Sequence, residues 1–99
     1  MLHTIWDKIS TTDRPIVKII FRNENTRVVA FGLQKGMKLT DHQVPVYTKI
    51  IMMKGEIELE SKIETVLLKE FDEYIIDPKV IHQVIANEDA MMLLILNFK

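Results

Sequence analysis

The sequence contains no cysteine among its 99 residues, which excludes disulfides, thiolate metal ligands and cysteine nucleophiles. A chain with no disulfides suits a reducing compartment, and we expect a cytoplasmic protein. Long apolar runs are lacking too. The longest apolar run comprises residues 90–96, whereas a membrane-spanning helix needs ~20 apolar residues. The N-terminus has no basic start followed by an apolar stretch, so it does not resemble a signal peptide. We therefore expect no membrane partner.

An excess of charge of one sign is also absent. The 13 Lys and Arg residues against 14 Asp and Glu give a formal net charge of -1. The basic residues are scattered singly, so no positive surface of the kind that binds nucleic acid is expected. With 47% apolar and 27% charged residues, the composition is typical of one folded domain with a single core, spanning residues 1–99.

Short apolar runs rich in β-branched residues follow one another from Ile16, separated by polar turns. This pattern is typical of strands, and helical periodicity over ten or more residues is absent. In the segment 56–60, three glutamates alternate with Ile57 and Leu59, which predicts a half-buried strand with an acidic solvated face. We predict an all-β domain, with a small barrel over residues 26–98. Residues 1–15 would form an N-terminal arm with a short strand or turn, anchored by Trp6.

The histidines mark two of the predicted strand faces. Segment 35–42 reads as a turn leading into the next strand, and residues of a strand alternate between its two faces. If one strand runs through residues 42–53, its interior face carries His42, Val44, Val46, Thr48, Ile50 and Met52. By the same rule, a later strand places His82, Val84 and Ala86 on one face. Each of these apolar faces then has a histidine at its end.

The spacing of Gly36, His42 and Gly55 resembles the first sequence motif of the cupin superfamily. In that motif a second histidine and a glutamate stand at the stations that Val44 and Thr48 occupy here. A second, weaker motif follows, in which only His82 keeps the family residue. The other stations of that second motif are held by Phe71, Asp77, Lys79 and Ala86. The resemblance covers residues 26–98 and implies a cupin-like double-stranded β-helix, a jelly-roll barrel.

The resemblance also implies a metal site, from which two ligands are missing. Cupins of known activity hold a divalent metal with three histidines and a glutamate, and here only His42 and His82 occupy ligand stations. Valine cannot bind a metal, and a neutral hydroxyl is a poor substitute for a carboxylate. A remaining metal would be Zn, Ni, Fe or Mn, held by His42 and His82 alone. The simpler interpretation is that both histidines line a pocket.

We therefore expect a small-molecule binding domain with no assigned catalytic residue. Apolar walls with a few polar groups are usual for such sites, and the pocket would be lined by His42, Val44, Thr48, Ile50, Met52, His82 and Val84. One alternative is a metal-dependent dioxygenase or isomerase that uses the reduced two-histidine site. Another is a structural dimerisation module whose barrel is filled by side chains. In each case the expected protein partner is a second copy, forming a homodimer.

Overall fold

The computed structural model describes residues 2–42 and 46–98, with the side chains of residues 40–42 excepted. Within these residues the chain forms a short helix, a 3-10 turn at Ile9–Thr11 and a series of antiparallel strands. The elements are α1 (Leu2–Lys8), β1 (Ile16–Arg22), β2 (Thr26–Leu33), β3 (Lys38–His42), β4 (Thr48–Lys54), β5 (Ile57–Glu60), β6 (Thr65–Leu68), β7 (Glu73–Ile76), β8 (His82–Ala86) and β9 (Ala90–Asn97). The prediction of an all-β domain is confirmed.

The strands form two sheets that pack face to face. The five-stranded sheet has the order β1-β2-β9-β4-β7, and the four-stranded sheet has the order β3-β8-β5-β6. From β2 onward, every connection except the β5–β6 hairpin carries the chain from one sheet to the other. The two sheets are therefore wound together as a barrel.

Alternating side chains of both sheets fill the barrel. In β5, Ile57 and Leu59 are 0% and 1% exposed while the glutamates between them are half-buried, as the alternation predicted. The same alternation buries His82, Val84 and Ala86 in β8. The main core is completed by Val29, Phe31, Leu33, Ile50, Met52, Leu68, Ile76, Ala90, Met92, Leu94 and Leu96.

The N-terminal arm forms the helix α1 followed by the 3-10 turn at Ile9–Thr11, so a strand is wrong there, whereas a turn is present. Ile5 and Ile9 are buried and pack with Ala30 and Met91 on the outer face of the five-stranded sheet, where Trp6 is partly buried. Their spacing of four residues puts both on one side of a helix. A helix of seven residues is too short to show a repeating period. Of the helices in the described residues, none is long and apolar enough to cross a membrane.

The interpretation of residues 42–53 as one strand is also wrong. Segment 38–42 is a strand, β3, which pairs with β8 of the four-stranded sheet, whereas β4 begins at Thr48 in the other sheet. His42 and Thr48 therefore lie on different strands. Val44 lies outside the described residues. The sequence of β3 is mostly polar, and it is the pairing with β8 that makes it a strand.

The connections divide between the two ends of the barrel. We call one end the turn end; it comprises the connections 34–37, 55–56, 69–72 and 87–89. We call the opposite end the mouth; it comprises the connections 23–25, 61–64 and 77–81, with Val46 and Tyr47 before β4. His82 begins β8 at the mouth.

Three residues of the turn end have a positive φ angle. Gly36 and Gly55 have φ of 89° and 77°, and Phe71 has φ of 72°. The first two are the glycines of the first motif, and Phe71 stands where the second motif has glycine. Because a left-handed backbone is favourable mainly for glycine, the turn geometry of the second motif is present here without its preferred residue.

Candidate functional site

His82 is the one histidine whose buried side chain the structure describes, and its ring orientation is set by the backbone. It is 5% exposed, and its Nδ1 lies 3.0 Å from the carbonyl oxygen of Val80. A carbonyl only accepts hydrogen bonds, so Nδ1 carries the hydrogen. In the neutral ring Nε2 is then the nitrogen with the lone pair. His82 is thus arranged to accept a hydrogen bond or to bind a metal through Nε2.

Tyr74 packs against His82 and is itself tied to a carboxylate. The two rings meet edge to face, with centroids 6.4 Å apart and an interplanar angle of 76°. The Tyr74 hydroxyl donates a hydrogen bond to Glu64 Oε1 at 3.0 Å. Burial, together with the hydrogen bond to Glu64 and its negative charge, raises the pKa of Tyr74 above its ordinary value. Tyr74 is therefore a neutral hydroxyl beside the imidazole.

The backbones of the two predicted site histidines lie directly opposite each other. His42, the last residue of β3, is the register partner of His82 in β8. The side chain of His42 lies outside the described part of the chain, as does the whole of Val44. The structure therefore brings the two positions together through the pairing of β3 and β8.

The other four residues predicted to line a pocket are in the barrel interior. Thr48 and Ile50 are each 1% exposed, Met52 is 0% exposed and Val84 is 3% exposed. Ile50, Met52 and Val84 are members of the main core. These side chains have almost no accessible surface and belong to the packed interior of the barrel.

The described residues do not fit the four-ligand metal site of the resembled motif. No three His, Asp or Glu side chains come together among the side chains the structure describes. Thr48, at the glutamate station, donates its hydroxyl hydrogen to the carbonyl oxygen of Val46 at 3.0 Å. It is neutral, so it offers no anionic charge to a cation. The donor set thus lacks the carboxylate that would balance a divalent metal.

Arg27 is a residue of the mouth that the sequence reasoning missed. It is the register partner of Leu96, whose side chain is buried in the barrel, and such partners share a face of the sheet. Its Nε is buried and has no hydrogen-bond partner within the described structure. The signal was present in β2, where Arg27 alternates with the apolar residues Val29, Phe31 and Leu33.

No protein-family model matches the sequence, and no curated protein is similar to it. Solved structures are similar in fold. A cupin superfamily protein from Desulfitobacterium hafniense superposes with a TM-score of 0.81 at 14% identity, covering 88% of this chain and 80% of the other. A conserved protein of unknown function from Streptococcus pyogenes gives a TM-score of 0.79 at 20% identity over 89% of this chain and 77% of that one.

KdgF from a Halomonas species is similar to the same extent. Its TM-score is 0.78 at 20% identity, covering 89% of this chain and 83% of the other. Identities this low show a shared fold and carry no activity across. The superpositions cover 88% and 89% of this chain.

Proposed function

Because the chain has the cupin fold, a double-stranded β-helix, we propose that it binds a small molecule at the barrel mouth. The observation that carries this proposal is the side chain of His82. It is a buried polar residue held by a backbone carbonyl, and its other nitrogen is a hydrogen-bond acceptor. A ligand with a hydroxyl, amide or ammonium group would donate to Nε2. We also propose that the protein is located in the cytoplasm, since a cysteine-free chain suits a reducing compartment.

Binding without a metal agrees best with the residues present. A metal-dependent dioxygenase or isomerase would need His42 and His82 to hold the ion with no protein carboxylate. The buried core residues Ile50 and Met52 provide no group that could act as an acid or base. We therefore infer a binding domain rather than an enzyme.

The proposal is tested by NMR of the 15N-labelled protein with a set of small polyols, hydroxy acids and amino acids. A compound that binds at the mouth shifts the amide signals of residues 80–84 and of Thr48. Replacement His82→Asn keeps a donor near the Val80 carbonyl but removes the Nε2 acceptor, and we expect it to weaken binding at least tenfold. His3→Asn is the matched control, because the His3 side chain is 91% exposed on α1. Shifts confined to other surfaces, or equal binding by His82→Asn, would overturn the proposal.

The metal alternative has its own measurement. Protein purified without chelator is analysed for Zn, Ni, Fe and Mn, and we expect much less than one metal ion per chain. Stoichiometric metal that is lost in both His42→Ala and His82→Ala would instead establish the two-histidine site.

A dimerisation role is the second candidate, and one feature of β1 favours it. Val17 and Ile19 are register partners of the core residues Phe31 and Val29, so they share the barrel-facing side of the sheet. They are nevertheless 51% and 48% exposed. We propose that a second copy of the chain covers this apolar surface.

Light scattering at micromolar concentration tests the dimer. We expect a dimer for the native chain and a monomer for Ile19→Lys. Ile63→Lys is the control, since Ile63 is an exposed apolar residue of the mouth connections at 79% exposure. A native chain that is monomeric would overturn the proposal, and so would Ile19→Lys remaining dimeric.

A further inference from the structure

Five residues lie side by side across the five-stranded sheet at the mouth. Successive register pairs join them in the order Arg22, Arg27, Leu96, Thr48 and Ile76. Leu96, Thr48 and Ile76 are 8%, 1% and 3% exposed and face the barrel interior. Because directly paired residues share a face, the two arginines extend the same row. Two arginines thus lie next to each other at the mouth, of which Arg27 is half-buried and Arg22 is exposed.

The guanidinium of Arg27 packs against an aromatic ring, but one of its N–H donors has no hydrogen-bond partner among the described residues. Its guanidinium carbon lies 5.1 Å from the centroid of the Phe98 ring, a cation–π contact. Its Nε is buried and has no hydrogen-bond partner among the described residues. A guanidinium has only N–H donors and no acceptor atom, so each of its N–H groups needs an acceptor from elsewhere. The buried N–H therefore calls for an acceptor that the described protein does not supply.

The pairing with Arg22 adds a second reason to expect an anion. Like charges directly opposite each other on neighbouring strands are destabilising. Where side chains are described, the ion pairs join His3 to Asp7, Arg14 to Asp13 and Lys49 to Glu73. Glu24, in the turn between the two arginines, forms no ion pair with either of them in that part of the structure. An anion bound between Arg22 and Arg27 would relieve the repulsion.

We propose that Arg27, assisted by Arg22, binds the oxyanion group of the mouth ligand. A carboxylate and a phosphate share the required chemistry, because two parallel N–H groups of a guanidinium match two oxygens of either. The terminal N–H groups of Arg27 supply the two donors, because its Nε is buried, and the guanidinium lies over the Phe98 ring. This assignment rests on the proposed binding function and narrows the ligand class to small organic anions. The competing role for Arg27 is purely structural, covering the barrel end over Phe98.

The arginine Nε–H signals of the 15N-labelled protein provide the test. Sodium succinate and sodium phosphate are titrated separately at constant ionic strength, with sodium chloride as the reference. The Arg27 signal is identified by its loss in Arg27→Lys. We expect it to shift saturably with succinate or with phosphate, and the stronger of the two identifies the oxyanion. Chloride should cause no saturable shift.

Matched variants separate recognition from general charge effects. Arg27→Lys keeps the charge but not the paired donors, and we expect at least tenfold weaker binding of the oxyanion. Arg22→Lys should weaken it less. Arg14→Lys is the control, since the Arg14 side chain is 83% exposed and pairs with Asp13. Equal binding by Arg27→Lys, with a native-like amide spectrum, would assign Arg27 the covering role and overturn the inference.

The two proposals fail in different ways. A neutral ligand that shifts residues 80–84 and binds Arg27→Lys normally would leave the mouth as a binding site but remove the oxyanion assignment. An oxyanion that shifts Arg27 while leaving residues 80–84 unmoved, with His82→Asn binding normally, would place binding at the arginines and remove His82 from it.

Discussion

The two ends of the barrel differ in the buried polar side chains that they hold. At the turn end, backbone N–H groups of two connections bond to carbonyl oxygens of strands: Gly36 N–H donates to Ala86 O in β8 at 2.8 Å, and Phe71 N–H to Met52 O in β4 at 2.8 Å. At the mouth, His82 is held by the carbonyl of Val80 and Arg27 has a buried donor without a partner in the described structure. Backbone bonds between separate segments occur at the mouth as well, since Phe98 N–H donates to Asn25 O at 2.7 Å and Asn97 N–H to Tyr47 O at 3.3 Å. The mouth differs in that it also holds the His82 ring and the buried Nε of Arg27, the groups on which the proposed binding function rests.

Among these substitutions, Gly55→Ala should lower the free energy of unfolding most, because it adds a side chain where a connection of the turn end is closely packed. A Cβ at this position would overlap the carbonyl oxygen of Asp89 and lie 2.9 Å from the Cα of Ala90, at a φ of +77°. We expect the free energy of unfolding to fall by about 4 kcal/mol or more, or the chain not to fold. Gly36→Ala is the matched control. It has a similar φ of +89° and no atom within 4 Å, so only backbone strain of about 1–2 kcal/mol is expected. Equal losses in urea unfolding would show that the Asp89 contact is unimportant.

Met52→Ala tests whether the side chains in the middle of the barrel are closely packed. Met52 is 0% exposed, and we expect a loss of about 2–5 kcal/mol in urea unfolding, from lost burial and a cavity. At the mouth, Thr48→Val removes a hydroxyl that donates to Val46 O and should cost only about 1 kcal/mol. A loss below about 1 kcal/mol for Met52→Ala would indicate that Met52 lines an adaptable pocket instead.

Phe71→Gly should stabilise the turn end. Phe71 has a φ of 72° and is 77% exposed, so glycine relieves strain and loses little packing. We expect a gain of about 1 kcal/mol in the free energy of unfolding, after the entropy cost of glycine. Phe71→Ala separates the two causes, because alanine keeps the strained Cβ and should show no gain. A gain by alanine equal to that by glycine would trace the effect to the exposed ring.

The smallest effect on stability is expected from the ionisation of Tyr74, at the mouth and at high pH. Because the pKa of Tyr74 is raised in the folded state by burial and by Glu64, the unfolded chain ionises first as pH rises. The contribution of Tyr74 to stability is thus complete below its unfolded pKa of about 10 and declines as pH rises through the folded value. Tyrosinate absorbance in a Tyr47→Phe background should show a titration above that of free tyrosine. Glu64→Gln should lower the pKa of Tyr74. An unchanged pKa would show that Glu64 does not contribute to the shift.

Much of the fold could be predicted from local pattern. The apolar runs around "NEN" became β1 and β2, and the alternation of Ile57 and Leu59 with glutamate correctly gave a half-buried strand. These signals are read from neighbouring residues, and burial of one face follows from strand geometry alone. The glycine stations at Gly36 and Gly55 also proved to be left-handed turns, as tight turns require.

The elements that were missed depend on distant partners. β3 is polar and becomes a strand only through its pairing with β8, and α1 is short and becomes a helix by covering Ala30 and Met91. The alternation in β2 indicates the face on which Arg27 lies, but its place opposite Leu96 and Arg22 is set by the strand register. Prediction from one segment at a time cannot supply these pairings.

The sequence by itself determined the all-β character, the turn positions and the two histidine positions that belong to the candidate site. It did so because alternation and glycine turns are local properties of the chain. Only the tertiary structure decided that His42 and His82 are register partners, that Ile50 and Met52 fill the barrel, and that Arg27 faces the mouth. The physical reason is that burial and pairing are created by contacts between segments far apart in the chain, and these exist only once both sheets have formed.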